Sequence, residues 1–274
     1  MAAPNTISSE MLFRLIGRPD TPVLIDVRSE KDAAADPRLV PGSARRPAET
    51  VATWAPALCG VSAVVLCAEG RARSEGVAAW LRAVGASAEV LEGGYAAWRT
   101  AGLPLIPEER IPPRDAAGAT LWVTRSRPKI DRIACPWLIR RFVDPAARFL
   151  FVAPAEVGGV AERFGATPFD IEGKDMFWSH RAERCTFDVM VEEFGLSTEP
   201  LLRLGTIVRG ADTARPDLAP EAPGLLAASL GLSRMYVDDQ EQLEAGMLLY
   251  DAFYRWCRDA TGETHNWPTN RVAS

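Results

Sequence analysis

The first hundred residues alternate short apolar runs with segments of helical periodicity. Residues 23–25 and 63–66 are apolar runs without polar alternation, as expected of strands covered on both faces, and residues 88–91 predict a third strand. Between residues 73 and 84 the apolar positions recur at the three- and four-residue spacings of one helix face. This alternation predicts an α/β domain with a mainly parallel sheet flanked by helices.

The pattern changes after residue 107. Prolines and small residues concentrate between residues 104 and 119 and predict a linker over residues 108–120. We therefore expect one domain over residues 6–107 and a second over residues 121–270. Apolar spacing in the second predicts one strand and a set of helices, the first of them opened or kinked by Pro136, so a mainly α-helical domain. The strand is predicted at residues 148–152, and the helices at 130–142, 186–194, 200–208, 224–230 and 238–260.

Composition narrows the class of protein. The 274 residues are 47% hydrophobic and 24% charged, an ordinary globular mixture for two domains. A net charge of −5 disfavours nucleic acid as a partner, and we expect no direct DNA binding. No apolar run approaches the roughly 18 residues of a membrane span, and the first residues lack a secretory pattern. Five irregularly spaced cysteines are better interpreted as reduced thiols than as a disulfide framework, so we expect a cytoplasmic protein.

One cysteine lies in a context that favours chemistry. An apolar strand leads directly into Cys67, and a short loop with Gly70 then leads into the helix predicted near Arg73. Loop N–H groups and a helix N-terminus together form a cradle for an anion, which lowers a thiol pKa and makes a nucleophile. Arg71 and Arg73 would reinforce this effect, whereas Glu69 opposes it unless it points outward. The alternative is a small buried residue that ends a core strand.

Residues 6–107 resemble a single rhodanese domain in four segments that occur in order: residues 24–28, 40–44, the Cys67 loop and 91–98. The resemblance implies that Cys67 carries sulfane sulfur as a persulfide, taken from a small anionic donor and passed to a thiol or cyanide. It implies no cofactor for this domain, and a bracing role for Asp26 and Arg28. The expected catalytic residues are Cys67 and Arg73, and the expected binding residues are Ala68, Glu69, Gly70, Arg71, Ala72 and Ser74.

The loop departs from the rhodanese pattern in its length. Five residues separate Cys67 from Arg73, one more than in the usual rhodanese loop. This spacing resembles that of related phosphatases and arsenate reductases, whose longer loop admits a tetrahedral oxyanion. Leu66 stands where those phosphatases usually have histidine, which favours sulfur transfer. A thiol-dependent reductase of chromate or arsenate, or a phosphatase-like enzyme, remains the alternative.

The second domain resembles the C-terminal domain of the ChrB-type chromate-resistance proteins. The matching segments are residues 127–141, 179–180, 185–188, 207–212 and 263–267. The resemblance implies a role in chromate resistance or chromate-responsive regulation and carries over no catalytic residue. It therefore also leaves open a non-catalytic sensor or binding protein for chromate or a metal.

Polar side chains collect between the predicted strand and the next helix of this domain: Asp170, Glu172, Asp175, His180 and Cys185. Histidine, thiolate and carboxylate are ligands of zinc and iron, so a divalent metal held by His180 and Cys185 is one prediction. A surface loop with one hydrogen-bonded histidine and a core cysteine is the other, because no close ligand pair fixes the geometry.

Several further residues allow two interpretations. A basic cluster would bind an oxyanion or an acidic partner, or form a solvated helix face; it comprises Arg127, Lys129, Arg132, Arg140 and Arg141. Cys135 is either a reactive thiol at a helix start or a core residue, and His265 is a candidate to reach a site. Cys59 and Cys257 are predicted to be packing residues. The sequence leaves the oligomeric state open.

Overall fold

The computed structural model describes residues 5–173 and 176–263. The elements of the first domain, in chain order, are β1 (Thr6–Ile7), α1 (Ser9–Leu15), β2 (Val23–Asp26), α2 (Glu30–Ala35), β3 (Arg38–Leu39), β4 (Ser43–Arg45), α3 (Val51–Trp54), β5 (Ser62–Leu66), α4 (Ala72–Ala83), β6 (Ser87–Leu91), α5 (Gly94–Thr100) and β7 (Ile106–Pro107).

Five of these strands form a parallel sheet in the order β1-β6-β5-β2-β4. The central strand β5 is buried on both faces, since Val64 belongs to one apolar cluster and Val65 to another. This two-sided burial explains why its sequence is continuously apolar. Helix α4 packs on one face through Val77 and Leu81. The parallel sheet flanked by helices confirms the fold class predicted for this domain.

The second domain contains β8 (Leu121–Arg125), α6 (Asp131–Leu138), β9 (Arg148–Val152), α7 (Val157–Phe164), β10 (Thr167–Pro168), α8 (Thr186–Glu193), α9 (Glu199–Asp212), α10 (Ala222–Met235) and α11 (Asp239–Asp259). It is mainly helical, as predicted. It also holds a parallel three-stranded sheet in the order β10-β8-β9, of which only β9 was predicted.

Pro136 neither opens α6 nor ends it. The helix begins five residues earlier, at Asp131, and after Leu138 it continues as a wider π-helical turn over Ile139–Val143. Proline lacks a backbone N–H and its ring crowds the preceding turn, so a change of helical pitch beyond it is a local adjustment of the kind expected.

The two domains share one apolar core. Leu12 and Trp98 from the first domain belong to the same buried cluster as Trp137 and Phe142 from the second. The contact is close at Gly17, where an added Cβ would lie 2.4 Å from the Phe142 ring. The domains therefore pack as neighbours.

The segment predicted as a linker is held against the second domain. It contains a helical turn over Glu108–Arg110 and a bridge between Arg114 and Thr120. Arg114 also pairs with the buried Asp144 at 2.8 Å. Across the described part of the chain, no helix combines the length and apolar character needed to span a membrane.

Candidate functional site

Cys67 lies where β5 ends and is almost fully buried, with 5% of its surface exposed. The backbone N–H of Arg71 donates to Sγ over 3.4 Å, and the Ser74 hydroxyl lies 3.1 Å from Sγ. Both partners belong to the turn that enters α4. The strand-to-helix turn therefore surrounds the sulfur with hydrogen-bond donors, as the sequence pattern predicts.

The Ser74 hydroxyl can form a hydrogen bond with Cys67 both as a thiol and as a thiolate. Its single proton has two acceptors, because Ser74 Oγ lies 3.0 Å from the carbonyl oxygen of Arg71 as well as 3.1 Å from Sγ. With a thiol, Ser74 donates to Arg71 and accepts from the sulfur. With a thiolate, the same proton turns to the sulfur. One hydroxyl rotation thus follows the charge on Cys67.

The surroundings of Cys67 favour the thiolate. Burial acts to raise the pKa of Cys67, but the Ser74 hydroxyl and the N–H groups of Arg71, Glu69 and Ser74 outweigh it, and the pKa is lowered. The stabilisation comes from neutral donors rather than from a nearby guanidinium. The loop is thus a place where negative charge on sulfur is favoured.

The charged side chains of the loop point away from the sulfur. Glu69 and Arg71 are mostly exposed and pair with each other at 3.3 Å, so Glu69 meets the condition of pointing outward. Arg73 pairs with Glu49 at 2.7 Å. The structure therefore keeps the arginines expected to assist Cys67 engaged elsewhere, and the cradle is made of backbone and hydroxyl groups.

Two glycines join the loop to α5. A Cβ on Gly70 would lie 2.5 Å from the carbonyl oxygen of Leu91, and one on Gly94 would lie 2.3 Å from that of Cys67. Both glycines have positive φ, at +67° and +58°. Across this contact the N–H of Tyr95 donates to Cys67 O over 2.9 Å, and that of Ala96 donates to Ala68 O over 2.9 Å. The first turn of α5 thereby fixes the position of the nucleophile.

Asp26 and Arg28 brace the domain beneath this loop. Arg28 Nε donates to Asp26 Oδ2 over 2.8 Å, and the pair is fully buried. The guanidinium also donates to the carbonyl oxygens of Asp36 and Arg38 and lies 3.9 Å from the centre of the Tyr95 ring. These contacts tie β2 to the segment around β3 and agree with the structural role expected for the two residues.

The second domain brings a histidine together with three aspartates. His180 Nε2 lies 3.4 Å from Asp131 Oδ2, 3.4 Å from Asp170 Oδ1 and 3.2 Å from Asp212 Oδ2. Asp131 begins α6, Asp170 follows β10, His180 precedes α8 and Asp212 ends α9. We call these four residues the His180 cluster. It lies at the carboxyl ends of parallel strands, where α/β sheets commonly bind ligands.

Helix α8 organises two of the carboxylates. Its first N–H, on Thr186, donates to Asp131 Oδ2 over 2.6 Å, and the Thr186 hydroxyl donates to Asp170 Oδ1 over 2.8 Å. Arg132 and Arg125 approach the other oxygen of Asp170, at 3.3 Å and 3.5 Å. Asp131 Oδ1, by contrast, is buried without a hydrogen-bond partner among the described residues.

The charges of the cluster shift its titration strongly. Interaction of Nε2 with the carboxylates of Asp131, Asp170 and Asp212 raises the pKa of the histidine to about 12. Burial raises the pKa of Asp131, and the neighbouring carboxylates add to this effect. For Asp170, burial is outweighed by the hydrogen bonds from His180 and Thr186 and by Arg132, so its pKa is lowered. The cluster is thus a place where positive charge is favoured.

The residue before Asp131 has a strained backbone. Ile130 has φ +38°, a conformation that β-branched residues rarely adopt. It is held from two sides: Ser229 Oγ accepts from the Ile130 N–H over 3.2 Å, and the Tyr250 hydroxyl donates to its carbonyl oxygen over 3.0 Å. Helices α10 and α11 therefore enforce the turn that directs Asp131 into the cluster.

Comparison with known proteins places the second domain. Residues 122–257 match the family model described as ChrB, C-terminal domain. The protein ChrB of Cupriavidus metallidurans is 34% identical over 134 residues, which are 48% of this chain and 39% of that protein. The second domain matches the ChrB C-terminal domain family. All four residues of the His180 cluster lie within the matched range, and the chain spans only 39% of the length of this relative.

Solved structures show similarity at low overall scores. A rhodanese-related protein from Thermoplasma volcanium is 22% identical with a TM-score of 0.33, and the match covers 38% of this chain and 99% of that one. A thiosulfate sulfurtransferase from Pseudomonas aeruginosa is 24% identical with a TM-score of 0.34, covering 39% of this chain and 20% of that one.

In the ChrB C-terminal domain, the predicted pairing of His180 with Cys185 as metal ligands is wrong. Cys185 is fully buried and its side chain caps α8, accepting from the N–H of Asp188 while the Asp188 carboxylate accepts from the Cys185 N–H. Burial raises its pKa well above the usual range. The alternative interpretation, a core cysteine, is the one that holds. Asp131, Asp170 and His180 instead present ligand atoms within 4.8 Å of one another.

The other polar residues predicted near His180 differ in whether they reach the His180 cluster. Asp170 joins the cluster, whereas Glu172 is exposed. Asp175 and His265 lie outside the described residues. Sequence reasoning missed Asp131 and Asp212, although both lie in segments that carry the ChrB resemblance. The available signal was an aspartate at the first turn of one helix and another after the Arg-Gly-Ala run of a second.

The residues of the predicted basic cluster in the ChrB domain each interact with a different group. Arg132 faces Asp170, Arg140 pairs with Glu244 and Arg141 pairs with Asp251. Arg127 donates to backbone oxygens at the end of α10, and Lys129 is exposed. The residues therefore act mainly as ion-pairing and capping groups rather than as one anion site.

Burial decides between the interpretations of the remaining cysteines. Cys135 is fully buried, and burial raises its pKa well above the usual range, so the core interpretation holds. Cys257 is buried as predicted. The prediction that Cys59 is a packing residue is wrong, because it lies exposed at the turn before β5.

Proposed function

We propose that the chain is a sulfurtransferase that carries sulfane sulfur as a persulfide on Cys67. The observation that carries this proposal is the cradle around Sγ, in which Ser74 and the loop N–H groups stabilise a thiolate without a charged side chain. The rhodanese resemblance of the sequence supports the same chemistry. The acceptor is a thiol, and the free cysteines are consistent with a reducing, cytoplasmic location.

The reaction balances without a cofactor. The Cys67 thiolate attacks the outer sulfur of thiosulfate, a new sulfur–sulfur bond forms, and sulfite leaves with the electron pair of the broken bond. An acceptor thiolate or cyanide then attacks the terminal sulfur of the persulfide. Cys67 leaves as a thiolate, and the Ser74 proton can again turn toward it. Both charged intermediates on Cys67 are anions that the same cradle stabilises.

The position of Arg73 suits a persulfide held on Cys67 better than a bound oxyanion. A tetrahedral oxyanion carries charge on several oxygens, and its recognition calls for a cation in the loop. Here the Arg73 guanidinium is paired with Glu49. A persulfide carries one charge on one sulfur, for which neutral donors suffice.

The ChrB C-terminal domain sets the biological context of the proposal. Since the ChrB-type resemblance implies a role in chromate resistance, we place the sulfur transfer within a response to oxyanion stress. The second domain would then supply acceptor or regulatory specificity.

The test is mass spectrometry of the full chain after exposure to thiosulfate. We expect the added mass of one sulfur atom on Cys67, together with thiocyanate formation when cyanide is supplied. Cys67→Ser should lose both, whereas Cys59→Ser, which removes an exposed thiol outside the cradle, should retain both. An unmodified Cys67 with no thiocyanate would overturn the proposal. Thiol-coupled reduction of chromate or arsenate that depends on Cys67 would favour the oxyanion alternative.

A further inference from the structure

We propose that the ChrB C-terminal domain binds one divalent transition-metal ion at the His180 cluster, through Asp131, Asp170, His180 and Asp212. This proposal is independent of sulfur transfer at Cys67, because the residues of the two sites are different. It also differs from the metal site predicted from the sequence, since it replaces a thiol with carboxylates.

The spacing of the ligand atoms fits a coordination polyhedron. Three carboxylate oxygens lie 3.2–3.4 Å from His180 Nε2. Metal bonds of about 2.0–2.1 Å give ligand–ligand edges of about 3.0 Å in an octahedron and about 3.4 Å in a tetrahedron. The distances from Nε2 therefore match the edges of such a polyhedron, and Asp131, Asp170 and His180 offer ligand atoms within 4.8 Å of one another, with Asp212 as a further carboxylate beside His180.

Hydrogen bonding leaves the carboxylates incompletely satisfied. Nε2 carries at most one hydrogen and can direct it at only one of the three oxygens. Asp131 is fully buried, and its Oδ1 has no hydrogen-bond partner among the described residues. The oxygen that faces His180 is the other one, Oδ2, and a cation bound there would neutralise the charge of this buried carboxylate.

The donor set selects the class of ion. One imidazole with up to three carboxylates suits Mn²⁺, Fe²⁺ or Zn²⁺, whereas Mg²⁺ prefers oxygen donors and retained water. The three carboxylates carry more negative charge than a divalent ion neutralises, and Arg132 and Arg125 beside Asp170 offset the excess. The His180 side chain is 42% exposed, so one side of the ion would face solvent.

The experiment uses the full chain, stripped with EDTA and desalted. Mn²⁺ binding is followed by loss of the free-ion EPR signal, and Zn²⁺ by equilibrium dialysis with elemental analysis. We expect about one ion per chain. Asp131→Asn, Asp212→Asn and His180→Gln should each weaken binding by about 100-fold or more, because even outer-shell substitutions cost about 10- to 100-fold. Circular dichroism in EDTA confirms that each variant is folded.

Two control variants separate this cluster from other groups. Glu172→Gln removes an exposed carboxylate two residues from Asp170, and Cys185→Ser removes the thiol of the sequence prediction. Both should bind like the wild type. No uptake of either ion, binding unchanged in folded Asp131→Asn and His180→Gln, or loss of binding in Cys185→Ser would overturn the proposal. Failure here would leave persulfide formation on Cys67 unaffected.

Discussion

The Cys67 loop and the His180 cluster solve opposite electrostatic problems. At Cys67, neutral N–H and hydroxyl groups surround one sulfur and favour negative charge. At His180, three carboxylates surround one nitrogen and favour positive charge. The loop is built within eight consecutive residues, whereas the cluster draws on four separate elements. The comparison shows that a local motif is enough to stabilise an anion, but a cation site requires the assembled fold.

The strongest test of this comparison is to mutate each site and to measure the activity of both sites in each variant. Cys67→Ser should abolish thiosulfate-dependent thiocyanate formation, a loss of about 1,000-fold or more, and leave Mn²⁺ affinity unchanged. His180→Gln should do the reverse, with loss of Mn²⁺ binding and normal transfer. Measuring sulfur transfer and Mn²⁺ binding in both variants tests whether the two sites are independent. Loss of both properties in either variant would show that the sites act together.

Gly94→Ala should produce the next largest effect. The added Cβ would lie 2.3 Å from the carbonyl oxygen of Cys67, so the loop must move and sulfur transfer should be largely lost. We expect the free energy of unfolding to fall by about 3 kcal/mol or more. Gly102→Ala is the matched control, because Gly102 also has positive φ (+65°) but has no atom within 4 Å of the added Cβ. It should cost about 1 kcal/mol in chemical denaturation. Equal costs for the two variants would contradict the steric explanation.

Ser74→Ala should slow the reaction of Cys67 by an intermediate amount. In the wild type the lowered pKa keeps Cys67 ionised as the pH falls below the usual cysteine range, so the alkylation profile should have a low midpoint. Without the hydroxyl the pKa rises, and iodoacetamide alkylation near neutral pH should slow about 10-fold. A Cys59→Ser background removes the exposed thiol, and Ser87→Ala serves as an exposed control. An unchanged midpoint of the alkylation profile would show that the Ser74 hydroxyl does not stabilise the Cys67 thiolate.

Asp131→Asn should change stability in the direction opposite to its effect on metal binding. In EDTA the amide removes one of three crowded negative charges, while its oxygen still accepts from Thr186 N. We expect unfolding to cost about 1 kcal/mol more in the variant. Asp251→Asn is the contrast, since Asp251 pairs with Arg141 and accepts from Trp137 Nε1, and its loss should destabilise. A destabilised Asp131→Asn would mean that the cluster is built for structure rather than for a cation.

Arg73→Ala should have the smallest effect. Because Arg73 pairs with Glu49 at the surface, we expect sulfur transfer to fall at most about 5-fold, with Glu49→Ala behaving alike. A loss of about 100-fold or more in the steady-state rate, seen only in Arg73→Ala, would indicate that Arg73 turns toward an anion during the reaction. That result would move the balance toward oxyanion chemistry.

The Cys67 loop could be predicted from sequence because its determinants are adjacent in the chain. Strand, nucleophile, Gly70 and Ser74 follow one another, and their order dictates which groups face the sulfur. The direction of Arg73 could not be predicted, because it depends on Glu49, which lies 24 residues away and in contact only after folding.

The His180 cluster was predicted only in part for the same reason. Asp170 and His180 are near in sequence and were recognised together, but Asp131 and Asp212 reach them through the packing of α6 and α9. Cys185 was misassigned because its distance along the chain gives no direction for its thiol, which the start of α8 turns into the core. The short strand β10 has only two residues, too few to show a period.

The contact between Gly70 and Gly94 has a consequence for engineering. The size of anion that the loop admits is set by how far its backbone can expand, and on one side that expansion is blocked by the first turn of α5. Inserting residues into the loop alone therefore leaves this side of the cradle unchanged. Directed evolution toward a bulkier substrate should accumulate its compensating substitutions around Gly93 and Gly94, more than twenty residues downstream of the nucleophile.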